Sequence, residues 1–242
     1  MKFTFNYAHM DDKAIMLGSS YKRDNLSLKL NYKPVKRVSL DFSARYSDTH
    51  ISGAGANESK TEVSTADSRM KNVMVFSPFN YASLSEGYDP DMNLTQPLTS
   101  VYDNDRLQDR RTFDYNGSLT WEIIDNLKFK TEFGLQYYTN DDKRFYGIST
   151  YNARVNGNNQ PIVVFTENGR ETFRNANTLS YDFKKLIKSE DHHLNLLVGQ
   201  ELIKMKSNTD TDEVRYYPTQ FTSSQAFTLS SQGTAYSTNK FI

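Results

Sequence analysis

Hydrophobic and polar residues alternate strictly along several stretches of this chain. The clearest stretch is Leu127 to Tyr138, LKFKTEFGLQYY, where one set of alternate positions is apolar or aromatic except for Thr131. The other set is mostly charged or polar and begins with Lys128, Lys130 and Glu132. Because a β-strand sends successive side chains to opposite faces, this pattern predicts a strand with one apolar face and one polar face.

The same period of two predicts six further strands. They lie at about 3–8, 25–32, 37–47, 112–123, 173–183 and 193–203. The last two are weaker, because Asn175 and Asn177 interrupt the apolar side of one, and Leu197 and Ile203 interrupt the polar side of the other. The only helix that the pattern indicates is a short one at 66–76. The chain is therefore predicted to be all-β.

Short and long links alternate between these strands. The short links are KPVKR (33–37), IIDN (123–126) and KKLIKSEDHH (184–193), and the long ones are about 11–24, 48–111, 139–172 and everything after 207. In a meandering sheet, alternate links lie at opposite ends, so all the long loops share one end. Outer-membrane barrels sort their loops in this way, whereas a soluble sandwich has no reason to do so. The pattern predicts about seven strands of an antiparallel up-and-down transmembrane β-barrel. This is an incomplete barrel wall with long extracellular loops and short periplasmic turns.

Composition is compatible with this fold and excludes several others. Mean hydropathy is −0.71 and the chain has no run of eighteen apolar residues, so no transmembrane helix is predicted. Barrel strands also average to a low hydropathy, since lipid-facing residues alternate with polar ones. The formal net charge is zero, without the basic excess of a nucleic-acid-binding protein. The absence of cysteine excludes a disulfide framework and thiolate metal sites.

Three predicted hairpins resemble those of one transporter family. YKRDNLSLKLNYKPVKRVSLDFSARYSDT (21–49) resembles a barrel hairpin of the SusC/RagA-type TonB-dependent outer-membrane transporters, with Tyr-Lys-Arg, a short basic turn and a closing Tyr46–Ser47 pair. RRTFDYNGSLTWEIIDNLKFKTEFGLQYY (110–138) resembles the next hairpin, and NTLSYDFKKLIKSEDHHLNLLVGQEL (177–202) resembles a third. The likeness covers most of residues 1–207, in the right order and with the right asymmetry of loops.

The resemblance implies a function and a set of partners. Such transporters import oligosaccharides or peptides across the outer membrane of Gram-negative bacteria. They are powered through TonB, and a SusD-like surface lipoprotein acts as a lid on the outer loops. The implied partners are outer-membrane lipid, that lipoprotein, TonB and an oligosaccharide or peptide substrate. Neither enzymatic activity nor a cofactor is implied.

The resemblance also implies that the chain is part of a larger barrel. Family members carry a signal peptide, a TonB-interacting segment and a plug before a barrel of about 22 strands. None of these is recognisable in the sequence, and the start, MKFTFNYAHM, lacks the apolar region of a signal peptide. Seven strands would leave unpaired edges in lipid. We therefore expect residues 1–242 to be a partial barrel domain, with TonB acting through an N-terminal region that is absent here.

Alternation assigns a direction to each strand residue. In this interpretation Leu127, Phe129, Phe133, Leu135 and Tyr137 face lipid, where a lysine at mid-membrane would cost about 2–4 kcal/mol. The candidate lumen-facing residues are Lys29, Arg45, Glu122, Lys128, Lys130, Glu132 and Gln136. They either line a substrate path or hydrogen-bond a plug. Trp121, Tyr32, Tyr137 and Tyr138 lie near strand ends and suit interfacial aromatic girdles.

The long loops supply a second group of candidates. Their aromatic residues could stack on sugar rings, contact a lid or pack the loops together; these are Phe79, Tyr81, Tyr88, Phe145, Tyr146 and Tyr151. His192 and His193 are adjacent, so on a strand they would point to opposite faces and share no ion. The run DPDMN (89–93) lacks the glycine and glutamate of a calcium loop. No metal, cofactor or catalytic site is predicted.

Two other functions remain compatible with the pattern. A siderophore or cobalamin receptor has the same kind of barrel, although the three hairpins favour the SusC/RagA type. A secreted soluble β-protein that binds glycans through its loops would also show alternating strands. The soluble protein would pack its apolar faces on each other and fold in water as a monomer.

Overall fold

The fold is a single antiparallel sheet whose strands follow one another in sequence order. A computed structural model describes residues 1–53, 67–76, 97–183, 194–230 and 238–239. The strands are β1 (Lys2–Lys13), β2 (Ser20–Val35), β3 (Val38–Ser52), β4 (Asn104–Ile124), β5 (Leu127–Tyr146), β6 (Ile162–Asp182), β7 (Asn195–Val214) and β8 (Thr238–Asn239). The prediction of an all-β, up-and-down sheet with seven main strands is confirmed.

The two edges of the sheet differ from its interior. Within the described ranges, β1 pairs only with β2, and β8 pairs with just two residues of β7, Thr209 and Asp210. The described strands therefore form an open wall and do not close into a barrel. This agrees with the predicted incomplete barrel wall.

The register places like side chains on one face across neighbouring strands. One row of cross-strand partners runs Tyr7, Leu26, Tyr46, Phe113 and Tyr137, and the next runs Phe5, Leu28, Ala44, Tyr115, Leu135 and Phe173. Directly opposed residues share a face, so the alternation in each strand produces a continuous apolar face. Its side chains are largely exposed: Phe133 is 46% exposed and Phe5 is 54% exposed.

The strands are longer than the hydrophobic pattern predicted. β5 continues to Tyr146 and β6 begins at Ile162, so the predicted loop at 139–172 is reduced to a connection at 147–161. The other long links shrink to 14–19, 53–103 and the residues after 214. The predicted loop boundaries were wrong because the regular alternation ends before the strands do, as in TNDDKR (139–144), where both faces are polar. The hydrogen-bonded ladder continues there although the apolar alternation has ended.

The two short turns that the structure describes lie at one end of the sheet, here called the turn end. Lys36–Arg37 joins β2 to β3, and Asp125–Asn126 joins β4 to β5. Asn126 has φ of 69°, a left-handed conformation that asparagine tolerates well. Arg37 Nη2 lies 3.0 Å from Asp125 Oδ1 and ties the two turns together. The short links predicted at 33–37 and 123–126 are confirmed, and 184–193 lies outside the described residues.

Helices and a small core occupy the opposite end, here called the loop end. The helices are α1 (Arg69–Val75), α2 (Pro97–Asp103), α3 (Tyr151–Asn156) and α4 (Ser223–Ser230). The short helix predicted at 66–76 is confirmed as α1, which Ser68 caps by accepting a hydrogen bond from the Lys71 N–H. None of the helices in the described parts of the chain is long and apolar enough to cross a membrane.

The buried apolar core belongs to this loop end. It is formed by Phe145, Val163, Tyr217, Ala226 and Phe227. The first two side chains come from β5 and β6, and the other three come from the segment after β7. The chain therefore folds back after β7 and covers the outer ends of two central strands.

Gly117 of β4 is expected to resist substitution, because the ring of Phe133 occupies the space where its Cβ would lie. We expect Gly117→Ala to displace this ring and to lower the free energy of unfolding by about 1–3 kcal/mol. Gly169→Ala on β6 is the matched control, since no atom lies within 4 Å of the added Cβ. Urea titration of both variants measures the difference. Equal stability of the two would show that the Phe133 ring is free to move aside.

Candidate functional site

The face opposite the apolar one gathers polar side chains from five strands. Its central row runs Lys29, Ser43, Asn116, Gly134 and Arg174. Arg45 and Gln136 lie in the next row toward the loop end, and Glu132 lies in the next row toward the turn end. By register, all seven predicted lumen-facing residues lie on this polar face. Whether the face lines a lumen remains a prediction.

A shallow cavity of about 350 Å³ opens on the polar face around Gly134. Most of the side chains that line it are charged or polar, and Phe42 and Phe133 add aromatic surface. The charged and polar ones are Lys29, Asn31, Asp41, Ser43, Arg45, Asn116, Ser118, Glu132 and Arg174. The glycine leaves space here, since an added Cβ would lie 3.1 Å from Asn116 Oδ1. This arrangement is suited to binding a polar or charged group.

The acidic groups of the cavity are already engaged. Asp41 accepts hydrogen bonds from Asn31 Nδ2 and, at 3.4 Å, from Ser118 Oγ. Glu132 forms an ion pair with Lys130 at 2.5 Å. They are therefore held by groups of the same sheet.

The three cations of the cavity differ in whether their side chains have a partner. Arg174 Nε donates to Glu201 Oε1 at 2.5 Å. Asp114 faces Arg45 in the ladder, yet it accepts a hydrogen bond from Gln136 Nε2 at 2.7 Å. Within the part of the chain that the structure describes, neither Lys29 nor Arg45 forms an ion pair or a side-chain hydrogen bond. Among the described residues, these two are therefore the cations of the cavity whose side chains have no hydrogen-bonding partner.

The predicted candidates divide between the cavity and its surroundings. Lys29, Arg45 and Glu132 line the cavity. Lys130 reaches the cavity through its ion pair with Glu132, whereas Gln136 donates to Asp114, which lies outside the lining. The two remaining candidates, Glu122 and Lys128, face each other beside the turn end and lie outside the cavity.

Of the nine charged or polar side chains of the cavity, sequence reasoning missed six, among them Asp41, Asn116 and Arg174. Asp41 and Asn116 occupy polar positions of strongly alternating strands, so the alternation alone would have placed them on the polar face. Arg174 lies on β6, where asparagines on the apolar side weaken the pattern. Its partner Glu201 is on β7, and only the register between the two strands brings them together.

The predicted loop aromatics have different surroundings. Phe145 and Tyr146 lie on β5 and not in a loop, because the ladder continues past the end of the apolar alternation. Phe145 is 1% exposed and its ring packs edge-on against Phe227, with 6.4 Å between centroids. Tyr151 begins α3 and is 38% exposed. Packing between segments is therefore the role that the structure gives to Phe145. Phe79, Tyr81 and Tyr88 lie outside the described residues.

A buried polar cluster fixes the connections at the loop end. The Asp67 carboxylate accepts hydrogen bonds from the backbone N–H groups of Tyr151 and Asn152, at 2.6 and 2.8 Å. Burial raises the pKa of Asp67 above its ordinary value, and these two N–H groups oppose that rise. Arg69, 2% exposed, donates from Nη2 to the Val101 carbonyl at 2.7 Å. The connections 53–103 and 147–161 are therefore held to one another.

The described residues offer little for metal chemistry. No group of three or more His, Cys, Asp or Glu side chains among them is placed to hold a metal ion. The histidines there pair with aspartates instead, His9 with Asp24 at 2.7 Å and His50 with Asp109 at 2.5 Å. The adjacent histidines at 192–193 and the run at 89–93 lie outside these residues.

Comparison with known proteins finds likeness in structure but not in sequence. No family model and no curated protein matches the chain. The solved RagAB peptide transporter matches with a TM-score of 0.61 and 14% identity, over 87% of this chain and 23% of that chain. The RagAB peptide importer matches in its 'closed-closed' state (TM-score 0.58, 15% identity, 92% and 25% covered) and in its 'open-open' state (0.55, 15%, 92% and 24%).

These matches concern the fold. This chain spans about a quarter of the length of the solved chains it matches, and the identity is low. Those solved structures are of a peptide transporter. The likeness to RagA-type structures that the three hairpins predicted is confirmed at the level of fold: the sheet of this chain has the fold of part of a RagAB transporter chain.

Proposed function

We propose that residues 1–242 form part of the β-barrel wall of a SusC/RagA-type TonB-dependent outer-membrane transporter. Three observations support the proposal: the open antiparallel sheet, the sorting of the described turns and connections to opposite ends, and the RagAB-like fold. A fourth observation, the height of the apolar face, is the one that carries the proposal.

The apolar face has the height of a lipid bilayer core. On β5 it runs from Leu127 to Tyr137, about ten residue steps, or about 34 Å along the strand at about 3.4 Å per residue. A strand tilt of about 45° reduces this to about 25 Å, the height of the apolar band of transmembrane barrels.

The same face becomes charged directly beyond the band. The next row toward the loop end runs His9, Asp24, Asp48, Arg111 and Thr139. Aromatic residues border the band, with Trp121 near the turn end and Tyr7, Tyr46 and Tyr137 beside the charged row. Such girdles are typical of membrane–water interfaces. The apolar face would contact lipid, and the loop end would lie outside the cell.

The polar face would then line the lumen, where its residues contact either the substrate or a plug. The loop end would be where a SusD-like lipoprotein and the ligand bind, and TonB would act on another region of the transporter. RagAB is a peptide transporter, so a peptide is the first substrate class to test here. Oligosaccharides are the second class.

Trp121 provides the test, since it is the one tryptophan of the 242 residues and lies on the apolar face. The protein made from its own gene is reconstituted into vesicles of ordinary or brominated phospholipid. The variant Trp121→Phe measures the background fluorescence that does not come from Trp121. We expect brominated lipid to quench the Trp121 signal strongly and aqueous iodide to quench it weakly. Strong quenching by iodide alone, from a protein that remains monomeric without detergent, would favour the soluble β-protein.

A further inference from the structure

We propose that Lys29 and Arg45 form a binding site for a carboxylate of the transported ligand. This inference rests on the proposed transporter function and narrows its substrate class. It concerns the cavity on the polar face, at the mid-height of the apolar band.

The register brings the two cations together. Lys29 of β2 lies opposite Ser43 of β3, and Arg45 follows Ser43 by two residues on β3. Lys29 and Arg45 are therefore diagonal neighbours on one face, a spacing of about 7–8 Å that long side chains bridge. Both are exposed and both line the cavity. An anion between them would relieve the repulsion between their like charges.

Within the described residues, the neighbouring acids form no ion pair with either cation. Asp41 is bound to Asn31 and Ser118, Glu132 to Lys130, and Asp114 to Gln136. The third cation, Arg174, is paired with Glu201. Asp41 and Asp114 keep their negative charge, since their hydrogen-bond donors are neutral. The N–H donors of Lys29 and Arg45, which line an open space of about 350 Å³, remain available to a ligand.

The chemistry of these groups selects a carboxylate. A guanidinium binds a carboxylate through two parallel N–H···O bonds, and an ammonium adds a further charge-assisted bond. A peptide carries carboxylates at its C-terminus and on acidic side chains, whereas a neutral oligosaccharide has none. The site therefore favours acidic peptides, or acidic oligosaccharides with the same group, over neutral sugars.

The test compares uptake of matched probes by cells that make the protein from its own gene. The probes are a C-terminally amidated hexapeptide of alternating alanine and glutamate, its counterpart with glutamine, and trigalacturonate, each with the same neutral fluorophore. The variants are Lys29→Gln/Arg45→Gln and Arg45→Lys. Lys36→Gln is the matched control, since Lys36 lies in the β2–β3 turn and outside the cavity. Immunoblots of outer-membrane fractions verify that each variant is assembled.

We expect the double variant to take up the glutamate peptide about tenfold more slowly and the glutamine peptide at an unchanged rate. Arg45→Lys keeps the charge and loses the two parallel bonds, so it should slow uptake of the glutamate peptide less than the double variant does. Loss of trigalacturonate uptake with intact peptide uptake would assign the carboxylate to a sugar. Unchanged uptake of every acidic probe would overturn the site. An equal loss of uptake of both peptides would also overturn the site, since it would indicate that Lys29 and Arg45 contact other parts of the transporter. Wild-type cells that take up no probe contradict the proposed function itself and the site with it.

Discussion

Replacing Phe145 with alanine is expected to detach the segment after β7 from the loop end of the sheet, with a loss of about 3–5 kcal/mol from that packing. Phe145 is almost fully buried and contacts both Val163 and Phe227. A second edge-on contact, between Phe165 and Phe227, depends on the same position of α4. Removing the ring leaves a cavity that the ladder between β5 and β6 prevents from collapsing.

Hydrogen exchange measures this effect, because the detachment is a local opening. We expect amides of residues 217–228 to lose protection in Phe145→Ala while those in the middle of β5 keep it. Tyr151→Ala is the matched control. It removes a partly exposed aromatic at the same end of the sheet and should leave the protection of 217–228 unchanged. If Phe145→Ala exchanges like the wild type, α4 is held by other contacts.

The burial of Phe145 shows where sequence patterns stop being informative. The segment that covers it follows β7 and approaches from more than 70 positions away, with Tyr217 and Phe227 as its main contacts. Nothing in the stretch DDKRFYGI distinguishes an aromatic covered by distant chain from one open to a ligand. The packing alternative that the sequence left open is the one that Phe145 adopts.

The central strands were predictable because lipid or a core would demand an apolar residue at every second position. Leu127–Tyr138 illustrates this, since its alternation matches the face assignment of β5 residue by residue. Strand ends were not predictable, because the extensions at 104–111 and 139–144 are polar on both faces except for Leu107. There the backbone ladder supports the strand without help from hydrophobic pattern.

The sequence predicted which residues share the polar face better than it predicted which of them contact one another. The alternation along each strand placed Lys29, Arg45 and Glu132 on one face, and the register between strands confirms that they share it. Which charges neutralise one another depends on pairing between strands that are distant in sequence, as in the contact of Arg174 with Glu201. The two cations that form no ion pair within the described residues could therefore be recognised only in the folded sheet.

The asparagines of β6 show how a polar residue is accommodated on the apolar face. Asn175 Nδ2 donates to the Glu132 carbonyl at 3.1 Å, and Asn177 Nδ2 donates to Asn175 Oδ1 at 2.8 Å. These bonds reduce the cost of placing an amide against an apolar environment. The interruptions that weakened the prediction of this strand are thus partly compensated within the sheet.

A lysine in place of Leu135 is expected to lower the free energy of unfolding in lipid by about 2–4 kcal/mol. Leu135 lies between Tyr115 and Phe173 on the apolar face, so no acidic partner is directly opposite. The control is Thr172→Lys, one strand away at the matching height and on the polar face opposite Gln136. Its ammonium would meet water and polar groups, and we expect a change below about 0.5 kcal/mol, as at ordinary surface positions.

Depth distinguishes lipid from a protein core in this comparison. Tyr137→Lys lies on the same face beside the charged row, where a lysine in a barrel costs only about 0–1 kcal/mol. Urea titrations in phospholipid vesicles, followed by Trp121 fluorescence, give the three values. A large cost at Leu135, a small one at Tyr137 and almost none at Thr172 is the gradient that a bilayer imposes. Equal costs at Leu135 and Tyr137 would indicate that protein covers this face, because a packed core has no such gradient along the strand.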